Sequence, residues 1–226
     1  MNNPKSIYVI AEAGINHNGN LETAKKLVDV SYDAGAHAVK FQTFWNIESL
    51  KKYELTKKEW YELENYCCYK GIQFLSTPHT FEAIHFLEDM MPYYKIASSY
   101  LGLPNFLKEV DSKKKTILLS TGSLIHNSGI ATNEEIKNAL KYIKQSDVVL
   151  MHCISKYPCK NPMFELLGRL KEFNKTIGIS DHSLQLKIPR ACFVEKHIKL
   201  NSKCIDNNVS LTPKQFKQFV DNMRCF

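Results

Sequence analysis

Two short stretches, GISDHS (178–183) and VEKHIK (194–199), each close an apolar run on a carboxylate and an imidazole. Such runs read as ends of buried strands, so His182 and His197 are placed side by side where two neighbouring strands stop. Two neutral imidazoles with water completing the shell make an open site for a divalent metal. Asp181 and Glu195 are then expected to orient the rings from behind. A lone histidine is more often structural than a ligand, so spacing alone leaves both roles open.

Lysines supply the second group. Lys40 lies in AVKFQTF and Lys95 in YYKIAS, both apolar runs. A buried ammonium without a partner is costly. Each therefore calls for an anionic ligand or for an internal ion pair with Glu12 or Glu195. Glu12 ends IYVIAEA and suits a general acid or base, or a carboxylate paired with Lys40. Gln42, Thr77, Ser98, Ser120, Ser155 and Ser180 add neutral donors at other strand ends. Lysines and hydroxyls together suit a phosphate and a carboxylate.

The elements that must hold these residues alternate along the chain. Strand-like runs recur at 7–13, 38–44, 72–77, 93–98, 116–121, 147–153, 176–180 and 192–197. Helical segments with start and stop signals lie between them. NLETAKKLVDVSYDAG (20–35) ends on Gly35, and TKKEWYELENYCCYKG (56–71) opens on a Thr56/Glu59 capping box. Thr132 and Glu135 repeat that pattern over 132–145, and Thr212–Pro213 starts a last helix over 212–225. Eight strands alternating with helices predict an α/β fold, a compact (β/α)8 TIM barrel. AGINHNGN lacks the glycine fingerprint of a doubly wound dinucleotide fold. In a barrel the C-terminal strand ends share one rim, so the polar residues above converge on one site.

Bulk properties narrow the partners. The 226 residues are 44% hydrophobic with a net charge of +7. They read as one domain over 1–226, without an apolar run long enough for a membrane span and without a secretory leader. A cytoplasmic location is expected, and the seven irregularly placed cysteines read as reduced thiols. The positive charge fits a small phosphorylated substrate. Nucleic acid is disfavoured, because the lysines are scattered and no basic–aromatic interleaving occurs.

In order along the chain, IAEAGINHNGNLETAKKLVDVSYDAGAHAVKFQTF, FLSTP, YKIASS, LSTG, LMHCISKYP, GISDHS and VEKH resemble the sialic acid synthase family, the N-acetylneuraminate synthases with their legionaminate and pseudaminate relatives. The resemblance implies condensation of phosphoenolpyruvate with an N-acyl-hexosamine aldehyde, aided by Mn2+ or Mg2+. His182 and His197 would hold the metal. Glu12 and Glu195 would be catalytic, Glu12 at the attacking water and Glu195 on the metal and aldehyde side. Lys40, Thr77, Lys95, Ser98, Ser120 and Ser180 would bind phosphoenolpyruvate. Gln42, Tyr157 and Asp206 would face the sugar. Ser155, where some relatives carry Asn, joins the substrate-binding set.

Departures from the family pattern shape further expectations. The family carries a C-terminal antifreeze-like domain that is expected to be absent here, leaving a homodimer or a separate antifreeze-like partner as possible assemblies. The segment after KFQTF is short, and Tyr100 stands where relatives place Glu. SLQLKIPRACF leaves barely two turns for a seventh helix, and Pro189 breaks its second half. Such shortening is expected to bare apolar strand surface. Two other functional classes stay open: a barrel that only binds, and an aldolase using a Schiff-base lysine, which would need a desolvated lysine without a nearby anion.

Overall fold

A computed structural model describes residues 7–224. Eight strands form one parallel sheet: β1 (Tyr8–Gly14), β2 (Ala38–Thr43), β3 (Gln73–Pro78), β4 (Tyr93–Ile96), β5 (Thr116–Ser120), β6 (Val148–Cys153), β7 (Thr176–Asp181) and β8 (Phe193–His197). Their order is β3-β2-β1-β8-β7-β6-β5-β4. β1 pairs with both β2 and β8, so the first and last strands meet. β3 and β4 lie in contact without sharing a ladder, which leaves the barrel nearly closed.

Among the described residues six α-helices wrap the sheet: α1 (Leu21–Ala34), α2 (Lys57–Lys70), α3 (Phe81–Phe86), α4 (Pro104–Asp111), α5 (Asn133–Leu140) and α6 (Pro213–Arg224). Their ends follow the sequence signals. The Asn20 side chain accepts the Thr23 N–H to open α1, and Gly35 closes it at φ 84°, a conformation that glycine adopts without steric cost. The Thr56/Glu59 and Thr132/Glu135 capping boxes both form. Arg224, at the end of α6, donates from Nη2 to the Gly35 carbonyl at 2.7 Å. That bond ties the last helix to the first.

Two helical expectations need correction. α5 stops at Leu140, short of 145, and the chain after β6 forms a 3-10 stretch, Phe164–Phe173. The seventh helix is not merely shortened; no helical turn forms between β7 and β8. The Asp181 side chain takes the Ser183 N–H at 2.9 Å, bending the chain where a helix would begin. Pro189 supplies no N–H to continue one. The expected bare strand surface does not result. Leu186 and Ile188 of this irregular segment pack on the core, and Asn222 of α6 donates to the Leu186 carbonyl at 2.9 Å. Ile179 and Val194, on the strands beneath, are fully buried.

The β2–β3 side of the core is aromatic. Phe41 stacks on Phe74 with centroids 6.1 Å apart, and Trp60 of α2 meets both edge-on. His17 also packs edge-on against Phe41 and Trp60. Its Nδ1 accepts the Gly19 N–H at 3.1 Å. Burial lowers its pKa to about 4, against a smaller opposing pull from Glu59.

A pH dependence of stability follows. His17 titrates near 6.5 when unfolded and near 4 when folded, so its contribution is full above 6.5 and disappears as pH falls through 4. The loss amounts to about 3 kcal/mol. Urea denaturation of wild type and His17→Asn between pH 7 and 4 should show the wild type losing more stability by about that amount. Parallel curves would remove His17 as the cause.

Candidate active site

The C-terminal strand ends open into one cavity of about 360 Å³. Every residue expected to be catalytic, to bind substrate or to hold the metal lines it: Glu12, Lys40, Gln42, Thr77, Lys95, Ser98, Ser120, Ser155, Tyr157, Ser180, His182, Glu195, His197 and Asp206; Asp181 does not. Parallel register explains the convergence. Glu12 lies opposite both Lys40 and His197, and Ser180 lies opposite Glu195. Side chains alternate across a strand, so residues two apart, such as Glu195 and His197, face the same interior.

The buried charges are organised as two linked pairs. Lys40 Nζ lies 2.6 Å from Glu12 Oε2 and 3.8 Å from Glu195 Oε2. It also donates to Thr77 Oγ1 at 2.9 Å. Lys95 Nζ donates to Glu195 Oε1 at 3.2 Å, and Ser180 donates to the same oxygen at 2.8 Å. Gln42 donates to Glu12 Oε1 at 3.1 Å. Burial opposes charge on Glu195, but Lys40, Lys95, Ser180 and His197 outweigh it and hold its pKa down to about 2. For Lys40, burial is likewise outweighed, by Glu12 and Glu195, and its pKa is raised. The sequence offered ion pair and anion site as alternatives. The geometry shows the ion pairs, and both lie on the cavity wall.

His182 and His197 meet as anticipated, with ring centroids 5.3 Å apart at 65°. His182 Nδ1 lies 2.8 Å from the Ile154 carbonyl, which accepts its proton and leaves Nε2 with the lone pair. Tyr157 leans on that ring at 4.2 Å and places its hydroxyl 3.1 Å from Nε2. Burial disfavours a charged His182, yet Cys153, the Ile154 carbonyl and Glu195 together raise its pKa. His197 Nδ1 faces Asp206 Oδ2 at 3.5 Å and has no hydrogen-bond partner. Asp206 is held below the usual carboxylate range: burial works against it, and His197, His182 and Lys40 prevail.

The orienting groups differ from expectation. Asp181 does not touch an imidazole; its carboxylate is taken by Lys196 and Ser183 on the other face of the strand. Glu195 is occupied by lysines and Ser180. The Ile154 carbonyl and Asp206 stand behind the histidines instead. The donor set fits a divalent cation. Two imidazoles adjoin on the wall, one with its tautomer fixed by a carbonyl, and three carboxylates and two lysines share that wall. Among the described residues no cluster of three or more His, Cys, Asp or Glu could hold a metal, so water or substrate would complete the shell.

Sequence reasoning missed three contributors. His79 lines the cavity beside Lys40 and Lys95, and burial with those two charges lowers its pKa to about 4. Its Nδ1 meets the hydroxyl of Tyr100 at 3.2 Å, whose own proton goes to the His79 carbonyl. Cys153 also lines the wall. Gly122 leaves no space for a side chain: a Cβ would sit 2.2 Å from Ser155 Oγ and 2.7 Å from Ser98 Oγ. Its N–H donates to Ser98 Oγ at 3.1 Å. LSTG carried the signal for Gly122; nothing in the sequence marked His79, since it extends past a strand end into a loop.

The class defined by the fold and the cavity is a nearly closed (β/α)8 barrel with lysines, hydroxyls and a histidine pair at its mouth. The particular family follows from comparison with known proteins. Residues 45–226 match the NeuB family. The chain is 34% identical to an uncharacterized protein of Methanocaldococcus jannaschii, over 96% of this chain and 70% of that one. It is 31% identical to an N,N'-diacetyllegionaminic acid synthase of Campylobacter jejuni, over 97% of this chain and 76% of the synthase. The crystal structure of an N-acetylneuraminic acid synthetase from Leptospira borgpetersenii superposes with a TM-score of 0.88 at 30% identity, covering 97% of this chain and 83% of that one. The chain belongs to the NeuB family.

The ion pairs give a direct stability test. Lys40→Met leaves the Glu12 carboxylate buried without its cation and should cost about 3–5 kcal/mol in urea denaturation. Adding Glu12→Gln should recover most of that loss. No recovery would mean that Lys40 stabilises through packing alone.

Proposed function

We propose that this chain condenses phosphoenolpyruvate with an N-acyl-hexosamine aldehyde, N-acetylmannosamine or a relative, to give a nonulosonic acid and phosphate. The observation that carries the reading is the charge layout of one cavity. Two lysines, a set of hydroxyls, and a histidine pair with Asp206 and Tyr157 all line that one cavity. The sialic, legionaminic and pseudaminic acid synthases among its relatives support the same chemistry.

Lys40, Lys95, Thr77, Ser98, Ser120 and Ser180 bind the phosphate and carboxylate of phosphoenolpyruvate, exchanging part of their internal pairing for ligand oxygens. Ser155 extends this hydroxyl wall. His182 and His197 would hold Mn2+ or Mg2+, which would supply Lewis acidity at the sugar's carbonyl end of the cavity. Gln42, Tyr157 and Asp206 orient the sugar so that its carbonyl carbon faces C3 of phosphoenolpyruvate. A C–C bond forms there as the C2–C3 π pair adds to the carbonyl carbon, the aldehyde oxygen is left as an alkoxide that takes up one proton of the attacking water by way of Glu12, and C2 becomes cationic. Glu12, held by Gln42 and Lys40, accepts a proton from the water that adds to C2. The tetrahedral carbon then expels phosphate by C–O cleavage. Glu195, ionised far below neutral pH, steadies the developing positive charge at C2.

The assay is phosphate release from phosphoenolpyruvate with Mn2+, with and without N-acetylmannosamine. Sugar-dependent release is expected, and folded protein that releases none with N-acetylated hexosamine aldehydes would refute the reading. Glu12→Gln should fold normally and lose turnover by at least about 100-fold, the scale of general acid–base catalysis. Wild-type turnover in that variant would remove Glu12 from the mechanism. His182→Ala should lose Mn2+ binding in calorimetry; unchanged affinity would refute the histidine clamp.

A further inference from the structure

We propose that a buried network of Asp181, Lys196 and Ser183 is the positioning device that sets the spacing of His182 and His197, in the place where the barrel forms no seventh helix. The inference rests on the metal-clamp reading above. Asp181 and Lys196 are direct partners in the last rung of the β7–β8 ladder, and each immediately precedes one of the histidines. Alternation turns Ser180, Glu195 and His197 into the cavity and Asp181 and Lys196 away from it. Neither of these two lines the cavity.

Both side chains are wholly buried and form an ion pair. Asp181 also accepts the Ser183 N–H and hydroxyl, each at 2.9 Å, and Lys196 Nζ lies 3.4 Å from that hydroxyl oxygen. The ammonium sits 5.6 Å from the centre of the Phe219 ring on α6. The network therefore grips both strand ends and the first residue beyond His182. Beyond this rung, His182 runs into an irregular segment with no helix to carry it.

Sealing the outer face of the barrel does not require charge. An apolar pair of similar volume would cover it at equal or lower cost. What the ion pair adds is direction. Its hydrogen bonds fix the separation and rotation of two strand ends one residue before each imidazole, as outer-shell partners of metal ligands do. An apolar pair would add no such directional bonds to the backbone ladder.

The test replaces both charges, with Asp181→Asn and Lys196→Met in one chain, so that no lone buried charge remains. Mn2+ affinity and metal-free phosphoenolpyruvate affinity are measured by calorimetry beside the wild type. The variant should fold, bind phosphoenolpyruvate as the wild type does, and bind Mn2+ about tenfold more weakly or worse. Wild-type Mn2+ affinity in the folded variant would overturn the proposal. So would an equal loss of phosphoenolpyruvate affinity, which marks general loosening. If the double variant does not fold, Ser183→Ala decides: weakened Mn2+ binding supports the network, and unchanged binding overturns it. A wild type that binds phosphoenolpyruvate but no Mn2+ would instead sink the metal reading, and this proposal with it.

Discussion

Charges can leave water inside a barrel only if they leave it together. That constraint organises this protein. Lys40 and Lys95 rise from the interior wall with their heads on Glu12 and Glu195, and Thr77, Gln42 and Ser180 take up further bonds. The pairs stabilise one another, since Glu195 sits within reach of both lysines. They also leave the cavity ready for a ligand. The anion proposed to bind here would not need to create a cation site; it would compete for one that the fold already holds. The same low-dielectric setting strengthens each such contact, which is the physical basis for preorganised catalysis.

The barrel turns that local chemistry into a site by geometry. Parallel strands bring their C-terminal ends to one rim, so residues far apart in the chain, such as Glu12 and His197, become direct neighbours. The outer layer is less regular than the inner one. The connection before β7 is a 3-10 stretch and the one before β8 has no helix, yet the strands beneath stay buried. Leu186 and Ile188 cover the face, Asn222 holds the covering segment down, and an ion pair replaces apolar packing at its upper end. Inner alternation is demanded by register; outer coverage needs only enough apolar area in any conformation.

The cavity wall includes more than strand residues. His79 and Tyr100 link β3 to the turn after β4 through two hydrogen bonds, and His79 forms part of the wall beside the lysines. The apolar rim at Leu124 and the exposed ring of Tyr157 frame the opening. These edges belong to loops, where side chains can differ between relatives without disturbing the strands that carry the charges.

Strand positions, the main helix caps and the convergence of Glu12, Lys40, Lys95, His182 and Glu195 were legible in the sequence. They depend on local periodicity, capping chemistry and the rule that alternate residues share a face, all of which short stretches encode. The pairing of each charge was not legible. Whether Asp181 serves His182 or Lys196, and whether Lys40 meets Glu12 or Glu195, depends on distances between strands remote in the chain. The missing helix, the Ile154 carbonyl behind His182 and the place of His79 in the wall are of the same kind. Sequence determined which residues had to stand at the rim. Tertiary structure alone decided which partner each one faces, because hydrogen bonds and ion pairs select by fractions of an ångström that no local pattern records.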